Sequence, residues 1–349
     1  MSKRYPTHTR ALLAAAALLG LAIFPAQAST YQMTVLEAVY TTDYYLSVAS
    51  IDNNDVAVGQ ASSFIYGLAA LRWQPGSSQA EIIPGGSATV SAAISRKKGY
   101  IVGSRSYGHK PVLWNPDGSV VTLLPLEKNN SPDEAGQDVD DKGQVVGSSY
   151  LGGERLPVVW KPGQTKPTVL PTPAGMIYSV AYRIAANGWI VGYGSADYNN
   201  YAPLVWKGGA LQDTGGLASF AGASLNSVNS MGSAVGRGSG EAILWQQGVV
   251  TKLPHVKGST SCEAYAINEN DEVVGNCYGS DDGGGYSVGA LWNGTKTIDL
   301  NTRLQPSDVA AGWKIIRGLD INDNGSILAQ AEFGSDYHTR YVLLRPLKD

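Results

Sequence analysis

The chain has 349 residues, of which 42 are Gly and 17 Pro; only 16% are charged, and the net charge is -3. That balance excludes a polyanion-binding surface, so no nucleic-acid partner is expected, and it excludes a disordered acidic tail. The 43% hydrophobic content is enough for a large core, in one big domain or two ordinary ones.

Read from the start, Lys3, Arg4 and Arg10 precede an apolar run from Ala11 to Phe24, followed by Ala26-Gln27-Ala28. The pattern predicts a secretory signal peptide over residues 1–28, cleaved after Ala28, because the run is shorter than the roughly 20 residues that span a bilayer. A retained anchor is the alternative. No Cys follows the run to accept a lipid, and no later apolar segment is long enough to insert. A secreted or periplasmic chain, with no membrane insertion after cleavage, is expected.

From Ile51 onward one phrase recurs: "IDNNDVAVG", "ISRKKGYIVG" from Ile94, "VDDKGQVVG" from Val139, "IAANGWIVG" from Ile184, "VNSMGSAVG" from Val228, "INENDEVVG" from Ile267 and "INDNGSILA" from Ile321. The starts lie 43, 45, 45, 44, 39 and 54 residues apart, the period of an array of identical supersecondary units. Six units continue to a strand ending in Trp, at Trp73, Trp114, Trp160, Trp206, Trp245 and Trp292. Then comes a tight turn such as "WKPG" or "WNPDG", and a further strand such as "VVTKLP". Apolar residues entering an Asn/Asp/Gly turn and leaving as a β-branched pair signal a hairpin, and Pro and Gly signal the second one.

The period and the two hairpins predict an all-β, seven-bladed β-propeller of four-stranded antiparallel blades filling residues 29–349 as a single domain. The last unit ends at "YVLLRPLKD" one strand short, while "YQMTVLEA" supplies a strand with no unit before it, so the N-terminal strand is expected to close the ring. An open β-solenoid is the alternative.

The phrases "AINENDEVVG" and "GALW", and the ending "IDLNTRLQPSDVAAGWKIIRGLDINDNG" with "RYVLLRP", resemble the HAF-repeat extracellular proteins over nearly all of residues 29–349. The resemblance implies a secreted propeller-like array and no particular chemistry. "ISRKKGYIVG" departs from the pattern by one extra residue, and "ILAQ" by Ala329 in place of Gly.

Asp320, Asn322 and Asn324 have calcium-loop spacing, but the twelfth position from Asp320 is Ala331 rather than a bidentate Glu, and "DVDDKG" puts Lys142 at a ligand position. A turn without metal is expected there, and no cofactor.

What every repeat shares is read as structural, the Trp residues as packing between blades, and function is sought where repeats differ. The loops before the Trp strands emerge on one rim and carry the candidate binding residues Tyr107, His109, Tyr150, Tyr198, Tyr201, Asp281, Asp282, Tyr286 and Tyr337. Tyr offers a flat apolar face with a polar tip, suited to sugar rings and peptides. The bland alternative is that a secreted β protein carries loop Tyr in any case. The expected function is a non-catalytic binding or scaffold module, a monomer contacting a glycan or partner protein. The rival reading is a polysaccharide-acting lyase or hydrolase with His109, His338 and Asp336 at the same rim; a purely structural surface protein is third.

Cys262 and Cys277 flank the sixth hairpin symmetrically about Glu269-Asn270, and are expected to form a disulfide in an oxidising compartment, two buried thiols being the alternative.

Overall fold

A computed structural model describes residues 30–40, 45–64, 67–87, 89–105, 110–127, 134–281, 284–334 and 336–347. The expected signal peptide lies outside them. Each of the first six repeats folds as an antiparallel run of inner strand, second strand, Trp strand and outer strand. The first comprises Tyr45–Ile51, Ala57–Ser63, Gly67–Trp73 and Glu81–Ser87. The fourth comprises Tyr178–Ile184, Trp189–Ser195, Tyr201–Lys207 and Ala210–Leu211.

The expectation of seven separate four-stranded blades is corrected. Among the described residues the ladders make six sheets, five of four strands and one of eight. The eight-stranded sheet holds the third and fourth repeats. In the third, the outer strand is only Thr168–Val169, paired with Val159 and Val158, so the other end of Glu154–Trp160 is left uncovered. Tyr178 occupies that place through a parallel bridge to Arg155, and the Arg155 amide donates to the Ile177 carbonyl at 3.0 Å. A short fourth strand thus merges two blades into one sheet.

The N-terminal strand Tyr31–Leu36 pairs antiparallel with Asp336–Pro346, from Tyr31 opposite Pro346 to Leu36 opposite Tyr341. It supplies the outer strand of the last repeat and leaves that sheet no unpaired edge there.

The repeated phrase works as a clamp. Its leading Ile or Val is buried in every copy, and in five copies the next residue folds its side chain over the turn. Asn322 Oδ1 accepts the amides of Asn324 and Ser326, and Asp52, Asp140, Asn229 and Asn268 do the same two and four residues on. In the second copy, with its extra residue, Ser95 Oγ reaches the amide five residues on, at Tyr100. The free amide groups then tie neighbours together: Asn322 Nδ2 donates to the Asp52 carbonyl at 2.8 Å and Asn268 Nδ2 to the Asn322 carbonyl at 3.0 Å. These oxygens are spent on turn geometry. Among the described residues no group of three His, Cys, Asp or Glu could hold a metal ion.

The six Trp are at most 3% exposed. Each indole donates to a main-chain carbonyl 30 to 38 residues earlier, as Trp160 does to Leu124 at 2.9 Å and Trp206 to Pro171 at 2.7 Å. Every hook lands at the end of the preceding unit, so burial and a satisfied N–H together lock adjacent units.

The closing Gly of the phrase meets a bulge. One extra residue interrupts each inner strand two positions before the phrase begins, and the Gly lies beside it. A Cβ on Gly59, Gly147, Gly192, Gly236 or Gly275 would stand 1.9–2.1 Å from a carbonyl oxygen of the inner strand. In the seventh repeat the inner strand Trp313–Ile321 carries two bulges, and the pair is Ala329 with Gly318. There the missing side chain has moved to the partner strand.

Candidate functional site

The inner strands run from the rim, where one unit connects to the next, down to the Asn/Asp turns. They enclose a central channel. At its rim-side mouth lies a cavity of about 370 Å³, and at the turn side one of about 360 Å³.

The rim bears a tyrosine cluster on the fourth repeat. The Tyr178 ring centroid lies 6.3 Å from Tyr193, 5.7 Å from Tyr198 and 5.8 Å from Tyr201, and Tyr193 lies 5.7 Å from Tyr201. The loop that presents Tyr198 is organised by Asp197. Its Oδ1 accepts the amides of Asn199 and Asn200, both at 2.9 Å, and the Ser195 hydroxyl at 3.1 Å. These donors hold its carboxyl well below the usual range. The turn so formed places Tyr198 at φ +62°, a left-handed conformation uncommon for a bulky residue, with 52% of its surface exposed. Tyr201 is 44% exposed. Below them Tyr193 is packed away, and burial beside Tyr178 raises its hydroxyl to about 12. Arg155 backs the cluster: its Nε donates to Ser148 Oγ at 2.9 Å, Nη1 donates to the Tyr178 hydroxyl, and the guanidinium carbon sits 4.9 Å from that ring centroid.

Tyr198 and Tyr201 are therefore brought together, on a partner not singled out in the sequence, Tyr178. Tyr150 lies on Val145–Leu151, opposite Arg155. Tyr286 is on the sixth repeat, with its ring against Gly279 on its own sheet. Asp281 is exposed at the end of Glu272–Asp281. Tyr107, His109 and Asp282 lie outside the described residues, and Tyr337 falls on the strand Asp336–Pro346. The meeting of His109 with His338 accordingly falls outside them as well.

The third histidine, His255, forms a close pair with Glu241, Nε2 to Oε2 at 2.6 Å, with Nδ1 3.3 Å from the Ser259 carbonyl. Both ring nitrogens are occupied, so this is a tie between the fifth and sixth repeats rather than a proton acceptor facing substrate.

Cys262 and Cys277 are disulfide-bonded and buried. The hairpin is centred on Asn270, half a residue later than the symmetric centre, since Ile267 faces Val273. The bulge at Tyr265 absorbs the difference and sets Cys262 opposite Cys277. With a sequence separation of 15, the bond contributes about 3 kcal/mol by chain entropy.

Sequence reasoning missed the channel. The bulged residues are Ala49, Ala92, Gln137, Tyr182, Asn226, Tyr265 and Leu319, each two positions before a phrase start. All of them line the rim-side cavity. That fixed offset and its varying residue were the available signal.

Glu134, at the entry to the third repeat, is 2% exposed, and its Oε1 has no hydrogen-bond partner among the described residues. Burial raises its carboxyl from 4.5 to about 7, against the lowering effects of the Tyr150 amide, the Ser149 hydroxyl and Lys110. A folded value above the unfolded one means that the native state holds the extra proton, so stability falls as pH rises from about 4.5 through about 7. Glu134→Gln should flatten that window and raise stability at pH 8 by about 1–2 kcal/mol, allowing for solvent screening at the rim. Urea unfolding at pH 5 and pH 8 measures it; a variant that keeps the wild-type slope would exclude Glu134 as its source.

No family model and no curated protein matches the chain. Solved structures do. A streptogramin B lyase aligns at TM-score 0.53 and 11% identity, covering 90% of this chain and 98% of that one. YCF48 from Cyanidioschyzon merolae aligns at TM-score 0.52 and 8% identity, covering 91% and 99%. YCF48 bound to D1 peptide aligns at TM-score 0.51 and 14% identity, covering 92% and 98%. At such identities the likeness shows the fold alone: this chain is a β-propeller.

Proposed function

We propose that the protein is an exported, non-catalytic binding module of the HAF-repeat kind, whose tyrosine rim contacts a glycan or a partner protein. The observation that carries this reading is the cluster of Tyr178, Tyr198 and Tyr201, with two rings exposed and a loop conformation that holds one of them outward. Flat rings with hydroxyl tips, fixed by packing, bind at low entropic cost. Export is supported by the disulfide, which persists in oxidising compartments, and no helix among the described residues is long and apolar enough to cross a membrane. That a YCF48 structure holds a peptide supports a protein ligand as one arm.

Screening the purified protein on glycan and peptide arrays, with turnover measured on every hit, tests the reading and its catalytic rival together. Replacing Tyr198 and Tyr201 by Ala should weaken the ligand found by ten- to a hundredfold, about 1.4–2.8 kcal/mol, with circular dichroism unchanged. Unchanged affinity in the double variant would remove the rim from the site, and turnover of a bound polysaccharide would replace the binder by the enzyme.

A further inference from the structure

Arg183 stands where the two cavities of the channel meet and lines both. Its guanidinium carbon lies 4.9 Å from the Tyr182 ring centroid, and its side chain has no hydrogen bond or close ion pair among the described residues, although the charges of Asp138 and Asp320 act on it. Its neighbour Arg96 is already used: it grips Asp320 with Nη2 at 2.6 Å and Nη1 at 3.1 Å, while Asp320 also accepts the Ile51 amide and the Ser50 hydroxyl. Asp138 accepts the amides of Ile184 and Val139, both at 2.9 Å; burial pushes its carboxyl up, and the charge of Arg183 opposes that rise. The Arg183 fork thus lines the channel without a hydrogen-bonded acceptor among the described residues, Asp138 and Asp320 acting on it through their charge alone.

The ring of bulged residues above Arg183 has two unlike arcs. Gln137, Tyr182, Asn226 and Tyr265 are polar or aromatic, whereas Ala49, Ala92 and Leu319 are apolar. Asn226 donates through Nδ2 to the Ala264 carbonyl at 2.8 Å, leaving its Oδ1 without a donor among the described residues. Gln137 and the Tyr182 hydroxyl have no hydrogen bond among them either.

We propose that the channel is a second binding site, which takes the carboxyl terminus of a peptide ending in an aliphatic residue. Arg183 receives the carboxylate bidentately, Asn226 Oδ1 and Gln137 receive main-chain N–H groups, and the side chain lies on Ala49, Ala92 and Leu319. A single fork with Asp138 and Asp320 beside it suits a monoanion and disfavours a dianion such as phosphate. The apolar arc suits an aliphatic side chain better than a sugar hydroxyl face. From Tyr178 at the rim to Arg183 the inner strand spans five residues, about 16 Å, the reach of about five residues of extended chain. The channel site is separate from the tyrosine rim.

The test uses the full protein and three probes: acetyl-Gly-Ser-Gly-Ala-Leu as free acid, the same peptide as C-terminal amide, and sodium glucuronate. Titration calorimetry, or saturation-transfer NMR at millimolar concentration, should show binding of the acid and at least tenfold weaker binding of the amide. Arg183→Gln should abolish the difference, and Arg183→Lys, which keeps the charge but loses the fork, should lower acid affinity about tenfold and carries the test where Arg183→Gln does not fold. The Tyr198→Ala, Tyr201→Ala double variant should keep the acid-over-amide preference, which separates this site from the rim. Equal binding of acid and amide, or none of either, overturns the proposal; Arg183-dependent binding of glucuronate alone overturns it in favour of an acidic sugar.

Discussion

Removing residues 30–36 should lower the melting temperature sharply, by well over 10 °C. The strand Tyr31–Leu36 is hydrogen-bonded along its whole length to Asp336–Pro346, and Leu347 adds an amide bond to the Thr30 carbonyl at 2.8 Å. Tyr31 and Leu36 are buried, and Met33 and Val35 pack against the core of the last repeat. Burying side chains of this size stabilises by about 1.5–3 kcal/mol each, so the loss is comparable with the whole stability of many domains, about 5–15 kcal/mol. The deletion also bares an edge strand whose amide and carbonyl groups can pair with another chain. Thermal melts followed by circular dichroism, with size-exclusion chromatography for association, measure both effects. A monomer with an unchanged melting temperature would mean that the closure contributes little.

Much of this architecture was readable because it repeats. The phrase starts, the Trp strands and the orphan N-terminal strand each reflect a geometric need that recurs unit by unit, so recurrence stood in for an alignment. The joining of the third and fourth repeats was not readable, since it depends on an outer strand of two residues, Thr168–Val169, leaving room for Tyr178. Nor was the tyrosine cluster fully readable. Tyr198 and Tyr201 sit in a variable loop and were visible, but Tyr178 lies at the head of an inner strand, where an aromatic residue reads as core. The channel was hidden for a deeper reason. A bulge leaves no composition signal, and its position relative to the phrase becomes informative only once the register is known.

The repeated Gly is fixed by the bulge it meets. It is not in a turn and has no left-handed backbone to excuse it. Gly147 faces Gly136 beside the bulge at Gln137, and a Cβ there would lie 2.0 Å from the Ala135 carbonyl oxygen, a contact that only backbone movement can relieve. Moving that backbone displaces the bulge, and with it Asp138, whose carboxylate accepts the Ile184 amide of the next repeat at 2.9 Å. Gly147→Ala should therefore cost about 3 kcal/mol or more, far above the usual gain of about 0.5–1 kcal/mol from replacing Gly in a strand. The reverse change in the seventh repeat, Ala329→Gly, should cost only about 1 kcal/mol, because it removes one buried methyl group and forces nothing to move. Chemical denaturation of the two variants side by side gives the comparison. Equal effects at the two positions would show that the Gly is kept for something other than the bulge it faces.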